Sequence, residues 1–382
     1  MELYVHLPFC RSKCRYCDFA SYAGCEEHMA HYVDTLLLEA TIRAEELQHP
    51  IMDTVFLGGG TPSLLPAVLL DKLLAGLRSL FPFSENVEFT SEANPGTITA
   101  EWLEIAVKHG VNRLSLGMQA VQPELLRILG RIHDQHQVER SVSMARSAGI
   151  GNISLDLMFG LPGQTLAQWH ESLNAALSLR PKHLSCYGLI PEEGTPLKTD
   201  LEAGVLALPA EETERQMYDD TLSILSRHGF QQYEISNFSL PGFECRHNLG
   251  YWRQVPYLGL GASASSMLPA VNDAVYIRAT NPASLAEYFS MVEESRWTMR
   301  ETIPISHAEA RFETLMLGLR TTQGVCEASF ESLHGIPLRS VYGDRLYSLA
   351  QRDLIAFING WWRLTRRGMD VQNAILVELM DD

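Results

Sequence analysis

The sequence predicts an α/β fold: a partial (β/α)6 barrel of the TIM type, followed by a C-terminal winged-helix-like domain. Two observations predict the barrel. Six short runs rich in β-forming residues lie between residues 3 and 187, and helix-length segments separate them, which is the rhythm of parallel βα units. A third observation predicts the smaller domain, because beyond residue 305 the pattern becomes helix, helix, hairpin and helix.

The six predicted strands end in Gly, Pro or polar turns. Between the first two, apolar residues recur at helical spacing from Met29 to Leu47. Loops at the carboxyl ends of barrel strands converge on one face, so functional side chains are expected there. The predicted strands are residues 3–7, 54–57, 87–90, 113–116, 153–157 and 183–187.

The remainder of the chain divides into a connecting region and the C-terminal domain. Residues 241–304 are rich in Gly and Pro and are predicted to be looser. Residues 308–320 and 342–351 have a helical period, and Asn359-Gly360 between two short apolar runs is typical of a type I′ hairpin turn. The predicted domains are 1–236 for the partial barrel, 237–304 for the connecting region and 305–382 for the winged-helix-like domain.

The charge balance limits the classes of partner. The 382 residues carry a formal net charge of −16 and 46% of them are hydrophobic, so the chain can bury a large core but offers no basic surface for nucleic acid. The winged segment is expected to dock a protein or act as a lid, with a metal-responsive DNA-binding protein as the alternative. No signal peptide or apolar run long enough for a transmembrane helix is recognisable, which predicts a cytoplasmic protein.

Three of the seven cysteines lie within eight residues, in the loop after the first predicted strand. An odd number of cysteines in a reducing compartment argues against a disulfide framework, so Cys10, Cys14 and Cys17 are predicted to ligate a metal centre. A short loop that offers three thiolates suits an iron–sulfur cluster. The alternative is a tetrahedral zinc site with His6 or Cys25 as the fourth ligand, which the spacing alone leaves open.

The surrounding segment, Tyr-Val-His-Leu-Pro-Phe-Cys-Arg-Ser-Lys-Cys-Arg-Tyr-Cys-Asp-Phe from Tyr4 to Phe19, resembles the radical S-adenosylmethionine (radical SAM) superfamily. The resemblance implies that the three cysteines hold a [4Fe-4S] cluster whose fourth iron chelates the amino and carboxylate groups of S-adenosylmethionine. An electron from the cluster would then break a sulfur–carbon bond to give a 5′-deoxyadenosyl radical, so the cofactors supply the difficult chemistry.

Polar residues at the predicted strand ends extend the resemblance. Gly58-Gly59-Gly60-Thr61-Pro62 follows the second strand, where three glycines permit close approach of a ligand and offer N–H donors. The resemblance implies that this loop holds the methionine end of the cofactor, that Glu92 lies beside its ribose or amino group, and that Gln119 and Arg131 steady it. Each residue alone would more often be a strand-end cap or a solvated residue, but their order along one barrel matches the superfamily. The implied cofactor-binding set is Tyr4, Gly59, Gly60, Thr61, Glu92, Gln119, Arg131, Asp156, Gly188 and Ser265.

Within the superfamily, the chain is most similar to the heme chaperones of the HemW family, relatives of the oxygen-independent coproporphyrinogen III oxidases. Those oxidases carry a further cysteine two residues after the third, where this chain has Phe19. They also carry a long N-terminal extension, whereas the first strand predicted here begins at Leu3. Both differences disfavour oxidase activity. The segment Arg246–Trp252 also looks like the His-Asn-x-x-Tyr-Trp signature of the chaperones.

His247, Asn248, Tyr251 and Trp252 in this segment are the candidate heme residues. Histidine is a common axial ligand of heme iron, and aromatic rings can stack on a macrocycle. In the alternative interpretation, Tyr251 and Trp252 hold the loop against the barrel and His247 makes a structural hydrogen bond. Another histidine, or a cysteine such as Cys245, would then ligate heme.

Together these patterns lead to two functional hypotheses. The first is a heme chaperone that binds a [4Fe-4S] cluster, S-adenosylmethionine and heme, passes heme to respiratory heme proteins, and forms a homodimer as the resemblance suggests. The second is a radical enzyme acting on a tetrapyrrole, such as an oxygen-independent coproporphyrinogen III oxidase. No catalytic residue is assigned under the first hypothesis.

Overall fold

The structure is a computed structural model that describes residues 1–270 and 274–380. The helices of this part of the chain are all too short or too polar to cross a membrane. The strands, in chain order, are β1 (Glu2–Leu7), β2 (Phe9–Cys10), β3 (Tyr22–Ala23), β4 (Met52–Gly59), β5 (Phe83–Ala93), β6 (Arg113–Gln119), β7 (Asn152–Phe159), β8 (His183–Gly188), β9 (Gln231–Gln232), β10 (Asn237–Ser239), β11 (Tyr257–Leu260), β12 (Ser265–Pro269), β13 (Tyr276–Thr280), β14 (Glu301–Ile305), β15 (Val325–Cys326), β16 (Ile355–Ile358) and β17 (Trp361–Leu364).

The helices connect these strands and pack on them. In chain order they are α1 (Met29–Glu46), α2 (Ala67–Leu80), α3 (Ala100–Lys108), α4 (Pro123–Ile128), α5 (Gln135–Ser147), α6 (Leu166–Ser178), α7 (Pro196–Glu202), α8 (Glu211–Arg227), α9 (Arg246–Trp252), α10 (Leu285–Glu293), α11 (His307–Leu319), α12 (Glu327–His334), α13 (Leu338–Gln351), α14 (Arg366–Asp370) and α15 (Gln372–Leu379). Short 3-10 helices lie at Glu26–His28, Pro62–Leu64 and Trp297–Met299.

The core of the molecule is the predicted partial barrel, and the α/β prediction is confirmed. Strands β1, β4, β5, β6, β7 and β8 pair side by side in parallel, in the order of the chain. All six predicted strands lie within these six. Because every strand runs in the same direction, the loops that follow them meet at one edge of the sheet.

Burial explains why these segments form strands and helices. The central strands are apolar over most of their length since helices cover them, and β6 is buried at all seven positions. Helix α1 shows the matching pattern, with Tyr32, Val33, Leu36 and Ala40 buried at helical spacing. These side chains belong to one large hydrophobic core shared by the sheet and its helices.

The region predicted to be looser is in fact part of the main sheet. Strand β11 pairs in parallel with β1, and β12, β13 and β14 follow it in antiparallel order. Gly259 makes the first of these antiparallel contacts possible, since a Cβ there would lie 2.1 Å from the Ser265 carbonyl oxygen. Gly259, one of the glycines that suggested a loose chain, therefore allows close backbone approach between two strands.

The C-terminal segment has the predicted order of helices and strands. Strands β16 and β17 form the predicted hairpin, and Asn359 and Gly360 both have positive φ angles of 53° and 85°, as a type I′ turn requires. Strand β15 completes a three-stranded sheet. Helices α11, α12, α13 and α15 enclose a separate hydrophobic core around Trp362 and Leu346.

Candidate functional site

The loop that carries Cys10, Cys14 and Cys17 is fixed from two sides. The backbone N–H of Arg15 donates to the Leu129 carbonyl at 3.0 Å, and the Leu197 N–H donates to the Arg15 carbonyl at 2.9 Å. The Arg15 guanidinium also pairs with Asp200 on α7. Contacts with the turn after α4 and with α7 therefore hold the loop in place at the carboxyl end of the barrel.

The three thiols are partly buried, and two of them receive contacts from polar side chains, one in the loop after β4 and one in the turn after α4. Thr61 Oγ1 donates to Cys10 Sγ at 3.7 Å, and Arg131 Nη1 lies 3.5 Å from Cys14 Sγ. Burial raises the thiol pKa of Cys10 and Cys17, so a bound cation would be needed to keep them deprotonated. Hydrogen-bond donors directed at sulfur are typical of thiolates that ligate metal, so these residues fit an iron–sulfur cluster.

The same geometry does not fit a zinc site. Both ring nitrogens of His6 are already bonded, Nδ1 to the Tyr4 hydroxyl at 2.9 Å and Nε2 to the Ala20 carbonyl at 2.8 Å. In residues 1–270 and 274–380, no three Cys, His, Asp or Glu side chains converge on a point where a single metal ion could bind. In a four-iron cluster each thiolate binds a different iron, so the lack of a single-ion site among these residues disfavours zinc and not the cluster.

The glycine-rich loop after β4 lies directly against the end of β1. The Gly60 N–H donates to the Leu7 carbonyl at 2.9 Å, and a Cβ on Gly60 would lie 2.7 Å from that oxygen. Gly59 has a φ of +102°, and a Cβ there would lie 2.3 Å from the His6 ring. Two adjacent positions in this loop thus have no room for a side chain.

Glu92 on β5 and Asp156 on β7 are buried acidic groups on the two sides of β6. Glu92 Oε2 accepts the Gly59 N–H at 3.1 Å, and burial followed by the charge of Asp156 raises the pKa of Glu92 to about 7. Asp156 accepts hydrogen bonds from the hydroxyls of Ser115 at 3.0 Å and Ser185 at 2.7 Å. Burial nevertheless raises its pKa. Glu92 is therefore able to exchange a proton near neutral pH, with a second buried carboxyl group close by.

Gln119 and Arg131 come together above Gly117. A Cβ on Gly117 would lie 2.9 Å from Gln119 Nε2 and 3.0 Å from Arg131 Nη2. Gln119 ends β6 with a φ of +62° at a shift in strand register, which turns its side chain relative to the strand. Sequence order alone could not show that these two side chains share one glycine.

A cavity of about 650 Å³ opens at this end of the barrel and collects several predicted residues. Tyr4, Gly59, Glu92, Ser265 and Tyr251 line it. A smaller cavity of about 110 Å³ is lined by Cys14, Thr61 and Arg131. Gly60, Gln119, Asp156 and Gly188 lie at or beside the strand ends but do not line the larger cavity.

The larger cavity also contains side chains that the sequence did not single out. Arg278 on β13 forms an ion pair with Glu313 on α11 at 3.0 Å. Tyr257, Met267 and Phe19 line the same space. No local pattern could have identified Arg278, because its position depends on β13 joining the main sheet.

The four candidate heme residues on α9 point into different surroundings. His247 is 1% exposed; its Nδ1 bonds Thr54 Oγ1 at 2.7 Å and its Nε2 bonds the Tyr251 hydroxyl at 2.9 Å. Its ring stacks on Phe56 at 5.1 Å. Burial, followed by the nearby positive charge of Arg113, lowers the pKa of His247 to about 3. These contacts favour the structural interpretation of His247 over iron ligation.

The other three candidates are not gathered around His247. Tyr251 reaches the 650 Å³ cavity, whereas Trp252 lines a separate cavity of about 210 Å³ beside Cys326. Asn248 is partly buried on the same helix. Of these four residues, Tyr251 therefore lies in the cavity at the carboxyl end of the barrel.

The chain matches two models of known protein families. Residues 4–176 match the model of the radical SAM superfamily, which includes the cysteine loop and strands β1 to β7. Residues 305–371 match the model of the HemN C-terminal domain, which covers most of the winged segment.

Curated relatives are similar over nearly their whole length. The heme chaperone HemW of Bacillus subtilis is 39% identical over 373 residues, covering 97% of this chain and 97% of that protein. The heme chaperone HemW of Escherichia coli is 32% identical over 378 residues, covering 98% of this chain and 97% of that protein. Among solved structures, coproporphyrinogen III oxidase (HemN) from Escherichia coli, a radical SAM enzyme, has a TM-score of 0.85 at 23% identity. That match covers 99% of this chain and 89% of the oxidase chain, so the two share a fold.

Proposed function

We propose, since the chain belongs to the HemW family of the radical SAM superfamily, that it is a heme chaperone that binds a [4Fe-4S] cluster, S-adenosylmethionine and heme. It would deliver heme to respiratory heme proteins. The observation that carries the proposal is the cysteine loop, whose Cys10 and Cys14 sulfurs receive contacts from Thr61 and Arg131. When bound, a cluster of this kind supplies one-electron chemistry to S-adenosylmethionine.

The strand-end residues would bind and orient S-adenosylmethionine. The close packing of Gly59 and Gly60 against β1 supports a backbone wall for its methionine end, with Thr61 beside Cys10. Glu92, at a pKa near 7, would accept hydrogen bonds from the amino or ribose groups. We assign Tyr4, Gln119, Arg131, Asp156, Gly188 and Ser265 to the same ligand, as the family resemblance implies.

We place heme on the Tyr251 side of the 650 Å³ cavity, whose other side, with Gly59 and Glu92, is assigned to S-adenosylmethionine. Tyr251 and Tyr257 pack edge to face with ring centroids 4.8 Å apart and line this side of the cavity, where Met267 adds an apolar surface. Arg278 would pair with a propionate carboxylate. His247 would act by holding Tyr251, while Asn248 and Trp252 stay candidate contacts.

The wider features of the proposal follow from the same family membership. We propose a cytoplasmic homodimer divided at the predicted bounds 1–236, 237–304 and 305–382, in which the second segment completes the main sheet and the last docks a recipient protein. The net charge of −16 supports a protein or small-molecule partner over nucleic acid.

The test is anaerobic reconstitution with iron and sulfide, followed by S-adenosylmethionine and a reductant. One sample receives heme and the other coproporphyrinogen III. The proposal expects stoichiometric heme binding while coproporphyrinogen III is returned unchanged. The TM-score of 0.85 with the oxidase makes that activity the second candidate. Accumulation of protoporphyrinogen with 5′-deoxyadenosine would establish it and would contradict the chaperone.

A further inference from the structure

The guanidinium of Arg131 is held by four contacts, and one of them is a sulfur. Nη2 donates to Asn94 Oδ1 at 2.7 Å and to the Gly117 carbonyl at 2.8 Å. Nε donates to His133 Nδ1 at 3.4 Å. The remaining nitrogen, Nη1, lies 3.5 Å from Cys14 Sγ. Because every nitrogen has a partner, the plane of the group is fixed with Nη1 directed at the sulfur.

Within residues 1–270 and 274–380, this positive charge has no acidic side chain among its hydrogen-bond partners. Its contacts within the described residues are an amide, a carbonyl, an imidazole and a thiol. The imidazole of His133 is itself uncharged at neutral pH, since burial and then the charge of Arg131 lower its pKa to about 4. A partly buried cation is costly unless an anion faces it. Among these partners, the cysteine sulfur is the group that becomes anionic when it ligates iron.

We infer, resting on the cluster proposed above, that Arg131 is a positioning residue that acts on the iron–sulfur centre through Cys14 and raises its reduction potential. A reduced cluster carries one more negative charge than an oxidised one, so a fixed guanidinium beside a ligand sulfur stabilises the reduced form. Hydrogen bonds to the sulfurs are among the factors that set the potentials of such clusters.

This role differs from binding the carboxylate of S-adenosylmethionine, which the family resemblance implies for Arg131. Nη2 is already used by Asn94 and Gly117, so a carboxylate bound by both Nη atoms would have to displace these contacts. The two roles separate in protein that lacks S-adenosylmethionine. There, a residue that binds only the carboxylate has no effect on the cluster, whereas a residue that acts through Cys14 has its full effect.

The experiment compares Arg131→Met, Arg131→Lys and the control Arg127→Met in the full chain. Arg127 is exposed on the neighbouring helix α4, so its charge is screened by solvent. Iron and sulfide contents are measured first. The potential is then determined by redox titration with electron paramagnetic resonance detection, without S-adenosylmethionine. Affinity for S-adenosylmethionine is measured separately by calorimetry.

We expect the Met variant to lower the equilibrium constant of one-electron reduction about tenfold, which is ~59 mV for a one-electron couple. The Lys variant keeps the charge but not the planar group, so its equilibrium constant of reduction should fall by less. That of Arg127→Met should match the wild type. If the Met variant does not hold iron, the reduction potential of the Lys variant tests the inference. A wild-type potential in every Arg131 variant that holds the cluster would overturn the inference. A wild-type chain that holds no cluster would instead overturn the proposed function.

Discussion

The cysteine loop and helix α9 each carry a recognisable motif, yet they present it in opposite ways. The loop leaves three thiols partly exposed. Helix α9 buries His247 completely and bonds both of its ring nitrogens. The comparison teaches that a motif specifies residue types, whereas the neighbouring strands decide whether a side chain meets a ligand or holds the fold.

The largest effect is expected from removing a cysteine of the loop. Replacing Cys10, Cys14 or Cys17 by Ala should abolish cluster binding, because each would remove one of three ligands. Iron content and the visible absorbance of anaerobically reconstituted protein measure this. Cys25→Ala is the control, since Cys25 belongs to the zinc alternative. Unchanged iron in all three variants would exclude the cluster assignment.

The second prediction tests the structural role of His247 on α9. His247→Ala should lower the free energy of unfolding by about 2–4 kcal/mol, because it leaves a cavity beside Phe56 and removes the hydrogen bonds to the hydroxyls of Thr54 and Tyr251. Denaturant unfolding measures the loss. His136→Ala is the control, since that side chain is 93% exposed. Full stability together with lost heme binding would show that His247 is an iron ligand instead.

The third prediction concerns the glycine-rich loop beside the cysteines. Gly59→Ala should weaken S-adenosylmethionine binding about tenfold, ~1.4 kcal/mol, with iron content unchanged, because the new Cβ displaces the His6 ring. Gly149→Ala is a matched control. Its φ of +101° gives the same backbone strain, but nothing lies within 4 Å. Equal affinity in both variants, measured by calorimetry, would mean that the cofactor loop lies elsewhere.

The smallest expected effect is a dependence of stability on pH that comes from His247 on α9. The pKa of His247 is about 3 in the fold and near 6.5 in the unfolded chain. The unfolded state therefore binds a proton first as the pH falls, and stability is lost between pH 6.5 and 3. From pH 7 to 5.5 this amounts to about 1 kcal/mol.

Comparing the wild type with His247→Gln isolates this contribution. Glu2 acts in the opposite direction, because burial raises its pKa to about 8, so it stabilises the fold at acidic pH and loses that effect as the pH rises. Because both proteins contain Glu2, its contribution cancels in the difference between their free energies of unfolding. A stability difference that is constant with pH would mean that His247 titrates normally.

Much of the fold could be predicted because it follows from local pattern. The six predicted strands lie inside the six parallel strands, and Asn359-Gly360 forms the expected turn. The alternation of strands and helices is a property of neighbouring residues, and it needs no knowledge of distant contacts. The Gly- and Pro-rich region was misjudged because Gly259 serves a contact with Ser265, not a loop.

The sequence by itself determined the order of strands and helices, the spacing of Cys10, Cys14 and Cys17, and the family. Only the tertiary structure decided what the polar side chains face. Arg131 meets Cys14 across 117 positions of chain, and His247 meets Thr54 across 193. Such contacts depend on which strands become neighbours in the sheet. That arrangement results from the burial of one core shared by distant segments, so it cannot be predicted from any one segment.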